Sequence, residues 1–200
     1  MKKSIAIAVV LLSTTLMFSQ KAKVLDGNIK NLKGIAQYDL VFDYEGVQIP
    51  KYDSEEEFLA DKMQKREEKE AGTGEKFKKS WFADREERYE PKFIESFNKR
   101  FGDGQVKVGK DQGADHIMKV QTTLLYAGYN VGVVRKNSKI DAIISVYKKD
   151  DPSNVLYSVK YTKAEGGGAM GYDYDSGYRI SESYAKLAKT WAKTILKKAK

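Results

Sequence analysis

The sequence predicts an α+β fold, with a mixed, mostly antiparallel sheet and helices packed on one of its faces. Three strand-like runs follow one another between Ala114 and Thr162, and helical patterns lie before and after that stretch. Glycine or proline separates most of the segments. A chain of 200 residues, 41% of them hydrophobic, is long enough for one domain with a substantial core.

The central stretch is predicted as a three-strand meander. Apolar or aromatic residues alternate with polar ones along each run, so one side of each strand carries most of the apolar area. These side chains are Met118, Val120, Thr122, Leu124 and Tyr126 in the first run, Ile140, Ala142, Ile144 and Val146 in the second, and Val155, Tyr157, Val159 and Tyr161 in the third. The shared face of the three strands needs a covering layer.

Residues 1–20 have the pattern of a secretory signal peptide. Lys2 and Lys3 precede an apolar run that is too short for a good membrane span, and we expect cleavage near Gln20. The alternative is an uncleaved N-terminal anchor. Residues 21–34 are polar and weakly patterned, so we expect a flexible N-terminal segment there, either a tail or a first edge element. Residues 35–200 are then expected to form a single α+β domain.

The chain contains no cysteine. This excludes a disulfide framework, a thiolate metal site and a lipid-modified cysteine after the signal peptide. The hydrophobic core alone must then stabilise the fold, although disulfides are common in small exported domains. We expect an exported protein, periplasmic or secreted, that is soluble after cleavage of the signal peptide.

The first half of the domain is predicted as one strand followed by helices. Ile35 to Tyr44 alternates like a strand, and Ser54 with Glu57 forms a capping box that starts a helix. Residues 71–74 break this helix, and a second helix follows. Pro91 starts or kinks a third helix, whose aromatic face should cover the sheet. That face consists of Phe93, Ile94, Phe97 and Phe101.

The closing helix is predicted over about Tyr178 to Lys198, after a short strand at Val106 and Val108, the meander and a glycine-rich loop. Its apolar side chains fall within an arc of ~80°, and its lysines form a second arc nearly opposite. The apolar arc contains Ile180, Tyr184, Leu187, Trp191 and Ile195, and the basic arc contains Lys186, Lys189, Lys193, Lys197 and Lys200.

This order of strand, helices, short strand, meander and helix resembles the small α+β domains of exported envelope proteins, such as the N-terminal domain of the translocation protein TolB. The resemblance covers roughly residues 35–198. The stretches Asn130 to Lys136 and Tyr172 to Tyr184 also look like segments of uncharacterised exported bacterial envelope proteins. Such a resemblance implies a fold and a location, but it brings no activity with it.

The glycine-rich loop over residues 166–179 is the first candidate for a binding site. Asp173 and Asp175 alternate as calcium ligands do, but the third carboxylate and the distal glutamate of a full calcium loop are missing. A flexible crossing capped by Asp175 or Ser176 explains the same residues without any ligand. A third interpretation is a recognition surface for a protein or glycan. Its candidate residues are Tyr172, Asp173, Tyr174, Asp175, Tyr178 and Arg179.

Catalytic signals are otherwise weak. The one histidine, His116, shares a strand face with Met118 and Val120, which favours a structural role. No Gly-x-Ser-x-Gly elbow and no phosphate-binding loop are present. We therefore expect a protein that is not an enzyme, with no cofactor and no metal site. The alternative is a metal-dependent or hydrolytic enzyme that uses the 166–179 loop and perhaps His116.

Positive charge is concentrated in the closing helix. The formal net charge is +8, and Tyr178 to Lys200 holds seven Lys or Arg against one Glu, net +6. Export argues against nucleic acid as a partner, whereas a basic helix face suits an anionic membrane surface or an acidic protein. Lys186, Lys189, Lys193 and Lys197 either only keep the protein soluble or, as the functional hypothesis, make a peripheral contact with an anionic surface. The partner otherwise expected is an envelope protein or a glycan.

Overall fold

The computed structural model describes residues 20–102, 104–167 and 175–199. Of the expected signal peptide, all but Gln20 lies outside the described residues. Eight strands are described: β1 Lys21–Gly27, β2 Gln37–Asp43, β3 Lys107–Gly109, β4 His116–Tyr126, β5 Tyr129–Asn130, β6 Arg135–Lys136, β7 Lys139–Lys148 and β8 Asp151–Glu165. The helices are α1 Glu55–Glu67, α2 Thr73–Asp84, α3 Glu90–Asn98 and α4 Ser176–Lys198, together with a short 3-10 turn at Ile29–Leu32.

The main sheet has six strands in the order β1-β8-β7-β4-β2-β3. Strands β4, β7 and β8 are neighbours and antiparallel, as the predicted meander requires. Strand β2 lies parallel to both β4 and β3, which makes the sheet mixed but mostly antiparallel. The predicted α+β class is confirmed.

The helices α3 and α4 cover one face of this sheet. The apolar alternation of the meander points toward them as far as Thr122 on β4, and Met118, Ile144 and Val159 are at most 1% exposed. A bulge between Thr122 and Leu124 then shifts the alternation, so Leu125 is buried, whereas Leu124 and Tyr126, which the sequence placed on the buried face, are half-buried. The predicted apolar face of α4 is buried throughout, from Ile180 to Ile195. Most of the buried apolar residues in the described ranges form one cluster that includes side chains of the sheet and the helices.

The other face of the sheet is polar and half exposed. Ser145 and Ser158 form a hydrogen bond across β7 and β8, with 2.9 Å between their hydroxyl oxygens. Lys119 on β4 forms an ion pair of 2.7 Å with Asp43 on β2. This alternation of a buried and a polar face is typical of an antiparallel sheet with one packed side.

Residues 21–34 contain the edge strand β1 and the 3-10 turn, so of the two alternatives left open for this segment, a tail or a first edge element, the structure has the edge element. Strand β1 pairs antiparallel with β8, from Lys21 opposite Thr162 to Gly27 opposite Tyr157. All seven side chains of β1 are exposed, so its sequence carries no apolar alternation that could indicate a strand. The free backbone edge of β8 supplies the hydrogen bonds that order it.

The helices α1 and α2 form a pair beside the sheet. Ser54 Oγ accepts a hydrogen bond of 3.1 Å from the Glu57 amide, which confirms the predicted capping interaction. The two helices share a small aromatic cluster in which Phe58 lies 4.8 Å from Trp81, between ring centroids. A wide helical turn over Arg85–Tyr89 joins α2 to α3, so the chain stays helical up to Asn98. Among the described residues, no helix is long and apolar enough to span a membrane.

Candidate functional site

The predicted loop site lies between β8 and α4, and the structure describes its two ends. Tyr172, Asp173 and Tyr174 lie outside the described residues. Asp175, Tyr178 and Arg179 are described, and each has contacts within the fold.

Asp175 is the N-cap of α4. Its Oδ1 accepts hydrogen bonds from the amides of Gly177, at 2.8 Å, and Tyr178, at 3.4 Å. Its Oδ2 accepts a hydrogen bond of 2.8 Å from Arg88 Nη1. Burial opposes ionisation, but the hydrogen bond and charge of Arg88 and the two amides bring the pKa of Asp175 below its ordinary value. Both carboxylate oxygens thus hold the helix in place.

Asp84, near the end of α2, completes a three-residue charge cluster with Arg88 and Asp175. Arg88 Nε lies 2.9 Å from Asp84 Oδ1, so one guanidinium joins two carboxylates. Burial raises the pKa of Asp84 to about 6, with smaller contributions from the negative charges of Asp175 and Glu87, while Arg88 opposes the rise. The cluster connects the turn after α2 with the start of the closing helix.

Gly177 permits the close approach of these two elements. A Cβ placed on this residue would lie 2.2 Å from Asp84 Oδ2 and 2.6 Å from Arg88 Nη1. Gly177 lies in the first turn of α4 and does not have a positive φ, so it does not supply a sharp turn. Its role is the space that it leaves for the carboxylate.

Tyr178 and Arg179 point to different neighbours. The Tyr178 ring is 40% exposed, and its centroid lies 4.5 Å from the guanidinium carbon of Arg88. Arg179 Nε donates a hydrogen bond of 3.0 Å to the carbonyl oxygen of Ala127, and Nη2 donates one of 3.4 Å to that of Gly128. Tyr178 can therefore contribute to a surface, whereas Arg179 holds the chain that follows β4.

A groove of about 550 Å³ lies next to this charge cluster. It is lined by side chains of both charges and by two aromatic rings, so it has no single charge preference. The lining residues are Arg66, Thr73, Lys76, Phe77, Ser80, Trp81, Asp84, Arg88, Asp175 and Ser176. Among the described residues, no group of three or more His, Asp or Glu could hold a metal ion.

His116 does not join this groove. It begins β4, where it lies in a different surface depression with Asp115 and Lys148. Arg179 binds the chain just after the other end of β4, so an 11-residue strand, ~30 Å long, separates His116 from the start of α4. In the described part of the chain, His116 and Asp175 therefore do not converge on one reacting atom.

A second buried carboxylate, that of Glu90, is also held by contacts within the fold. Glu90 is 5% exposed, accepts a hydrogen bond of 3.3 Å from the Tyr44 hydroxyl, and contacts the ammonium of Lys110. The Tyr184 hydroxyl lies 2.6 Å from that of Thr122. Burial raises the pKa of both tyrosines, so both stay neutral at physiological pH. These polar groups connect α3, α4 and the sheet.

The predicted lysines of α4 line its outer surface. Lys186, Lys193 and Lys197 are exposed, and Lys189 is half-buried. Lys189 lies in a groove of about 410 Å³ between α3 and α4, which we call the basic groove. The basic groove is lined by Lys92, Glu95, Ser96, Lys99, Arg100 and Lys189.

The cations in the basic groove outnumber its carboxylates four to one. Lys92 forms an ion pair of 3.1 Å with Glu182 on α4, which ties the two helices together. Within the described ranges, no ion pair is found for Lys99, Arg100 or Lys189. Of the lining carboxylates only Glu95 offsets the positive potential of these three side chains, so the groove stays positive.

Sequence reasoning missed the contribution of α3 to this surface. Residues 53–101 hold 12 Lys or Arg against 14 Asp or Glu, and that negative balance concealed the few cations on one side of α3. Lys92 and Lys99 are seven residues apart and thus share a helix face, which is a signal that could have indicated them. Their proximity to Lys189 depends on the packing of α3 against α4, which only the fold supplies.

Comparisons with known proteins show neither a family nor a function for this chain. No protein-family profile and no curated protein matches the chain. Two solved structures of PelC dodecamers from Paraburkholderia phytofirmans are similar to it at low TM-score. One of them, a single-substitution variant, has a TM-score of 0.33 and 10% identity, covering 85% of this chain and 98% of that one. The other has a TM-score of 0.34 and 8% identity, covering 84% and 97%.

A similarity at this level carries no argument about function. Neither comparison bears on the resemblance to TolB, which stays a prediction.

Proposed function

We propose that this is an exported, non-enzymatic envelope protein that acts by binding, and that its basic groove makes a peripheral contact with an anionic membrane surface. The observation that supports this proposal is the joint surface of α3 and α4. Lys99, Arg100 and Lys189 meet there, and Lys186, Lys193 and Lys197 continue the positive charge along α4. Export is supported by the signal-peptide pattern of residues 1–20.

Electrostatics favours a surface over a small ligand. The cations of α4 are spread along a 23-residue helix, which is too extended for one small anion. Each Lys or Arg near an anionic leaflet contributes roughly 1 kcal/mol, and the attraction falls off within a Debye length of about 8 Å at physiological ionic strength. Several cations on one face can thus hold a protein at such a surface without a pocket.

The enzymatic alternative has less support. Asp175 is engaged by two amides and by Arg88, and His116 lies at the far end of β4. In the described part of the predicted loop, Asp175 therefore stabilises the fold, and it does not form a reactive pair with His116. Tyr178 remains a candidate contact, next to the loop residues that lie outside the description.

Sedimentation with lipid vesicles tests this proposal. The chain from Gln20 onward is mixed with vesicles of phosphatidylglycerol and phosphatidylcholine, at low and at high salt, beside the variant Lys189→Glu/Lys193→Glu. We expect the wild type to pellet at low salt and to be released by high salt. The variant should lose roughly thirtyfold in affinity, because at least ~2 kcal/mol of attraction is removed.

The matched control is Lys78→Glu/Lys79→Glu on α2. This variant has the same net charge, and both lysines are exposed. It should bind nearly as the wild type does. Equal loss in both variants would show a response to net charge alone, and negligible binding by the wild type would end the proposal.

A further inference from the structure

Beyond the main sheet, the chain between β4 and β7 forms a small projecting ribbon. We call residues 129–136 the valine hairpin. Its strands β5 and β6 pair antiparallel, with Tyr129 opposite Lys136 and Asn130 opposite Arg135. The amide of Val131 donates a hydrogen bond of 3.1 Å to the carbonyl oxygen of Val134, and Asn130 Oδ1 accepts one of 3.0 Å from the Gly132 amide. The tip is thus an ordered turn.

The tip exposes apolar side chains that a soluble protein normally buries. Val133 is 98% exposed, Val131 67% and Val134 48%. Tyr129, at the base of the ribbon, is 36% exposed. Three exposed valines within four residues form a contiguous apolar patch, and such patches mark surfaces that contact a partner or a membrane.

The base of the hairpin is fixed to the domain. Gly128 has φ +65°, and a Cβ there would lie 2.3 Å from the carbonyl oxygen of Lys136. Arg179 donates to the carbonyl oxygens of Ala127 and Gly128, and Asn137 Nδ2 donates 3.1 Å to Glu165 Oε1. These contacts hold the ribbon in one orientation, with its valines directed away from the core.

The charges of the hairpin follow a depth order. Arg135 and Lys136 are exposed directly behind the valine tip, and Lys139 follows at the start of β7. Residues 127–140 contain these three cations and no Asp or Glu, and of the three Lys139 forms an ion pair of 3.3 Å with Glu165 on β8. In membrane-bound proteins, apolar side chains lie in the acyl region, and aromatic rings and cations lie at the headgroups. The hairpin places its side chains in the same order, from its tip to its base.

We propose that the valine hairpin inserts its tip into the boundary between the headgroups and acyl chains of an anionic bilayer. The inference rests on the proposed function, because the hairpin would be the apolar part of the proposed contact with the membrane. The tip extends only ~10 Å beyond the pair of Tyr129 and Lys136, since the six residues between them fold back with about three on each side. Insertion is therefore shallow, at a depth where backbone groups of the turn still reach water.

The absence of cysteine makes a direct test possible. In the chain from Gln20 onward, Val133→Cys supplies a single site for a polarity-sensitive fluorophore. Asp150→Cys, exposed in the turn between β7 and β8 at the far end of the sheet, is the matched control. With phosphatidylglycerol vesicles at low salt, we expect a blue-shifted emission and protection from an aqueous quencher at position 133, and neither at position 150.

A second variant measures the contribution of the tip to binding. Val131→Ser/Val133→Ser/Val134→Ser removes the apolar surface without changing the charge. Because the three side chains are exposed, its melting temperature should match that of the wild type. Its affinity for anionic vesicles should fall by roughly tenfold or more, since three apolar side chains no longer leave water.

The outcomes separate this inference from the proposed function. If the wild type pellets with vesicles but the label at position 133 stays in water, the proposed insertion of the tip is wrong. The tip then contacts something other than the bilayer, such as a pocket on another protein. If the label is buried while Lys189→Glu/Lys193→Glu binds normally, the hairpin inference stands and the basic groove fails. If nothing pellets, both are overturned.

Discussion

Asp84 shows how a single buried side chain can couple distant parts of the chain. It contacts Arg88 on the turn before α3, and its carboxylate occupies the space that Gly177 leaves at the start of α4. Asp175, the residue that caps α4, could be predicted from the sequence because capping is a local pattern. Its partner Arg88 lies 87 residues away in the chain, and no local pattern indicates such a pair.

The charge cluster predicts a pH dependence that belongs to Asp84. Its pKa is about 6 in the fold against an ordinary 3.8, so between these values the folded protein binds more protons than the unfolded chain. The free energy of unfolding contributed by Asp84 therefore falls as the pH rises from about 4 to about 6. The variant Asp84→Asn lacks this titration.

Melting temperatures of both proteins across this pH range test the prediction. As the pH is lowered, the melting temperature of the wild type should rise relative to that of Asp84→Asn, by a few degrees in total. The difference between the proteins is the useful quantity, because Asp175, with its lowered pKa, loses stabilisation in acid. A constant difference from pH 4 to pH 7 would contradict the raised pKa of Asp84.

Among the elements, α4 best illustrates what a pattern can predict. Its length, its cap and its buried face agree with the 3.6-residue period of the sequence. Strand β1 and the valine hairpin could not be predicted in this way. The side chains of β1 are all exposed, and the pairing in the hairpin covers only two residues on each side, so neither has a sufficient apolar alternation.

The two faces of α4 predict opposite responses to substitution. Trp191 is fully buried, stacks on Tyr157 at 5.9 Å between ring centroids, and lies with its Nε1 3.3 Å from Met118 Sδ. Trp191→Ala should therefore cost ~3 to 5 kcal/mol of unfolding free energy. Lys189→Glu/Lys193→Glu should change it by less than about 1 kcal/mol, because Lys193 is exposed, Lys189 is half-buried, and neither forms an ion pair within the described ranges.

Chemical denaturation of the wild type and both variants measures these differences. The lysine variant serves as the control for the same helix. A midpoint unchanged by Trp191→Ala would mean that the indole does not hold α4 on the sheet.

For the whole molecule, the alternating runs, the capping signals and the glycine breaks were sufficient to predict the α+β class and the meander. They could not predict the strand order at the edges, since β2 and β3 pair in parallel across long connections. The sequence predicted the α4 side of the basic groove and missed the α3 side. The lysines of α4 stood out by composition, whereas Lys99 and Arg100 became part of the same surface only through the packing of α3 against α4.

We propose that α3 and α4 together form one binding surface for anionic membranes. The most direct test is the vesicle affinity of Lys99→Glu/Arg100→Glu, whose changes lie entirely on the α3 side of the basic groove. We predict a loss of roughly thirtyfold, equal to that of the α4 variant, and no loss for Lys78→Glu/Lys79→Glu. If the α3 variant keeps wild-type affinity at a salt concentration where the α4 variant has lost binding, α3 does not belong to the membrane-binding surface.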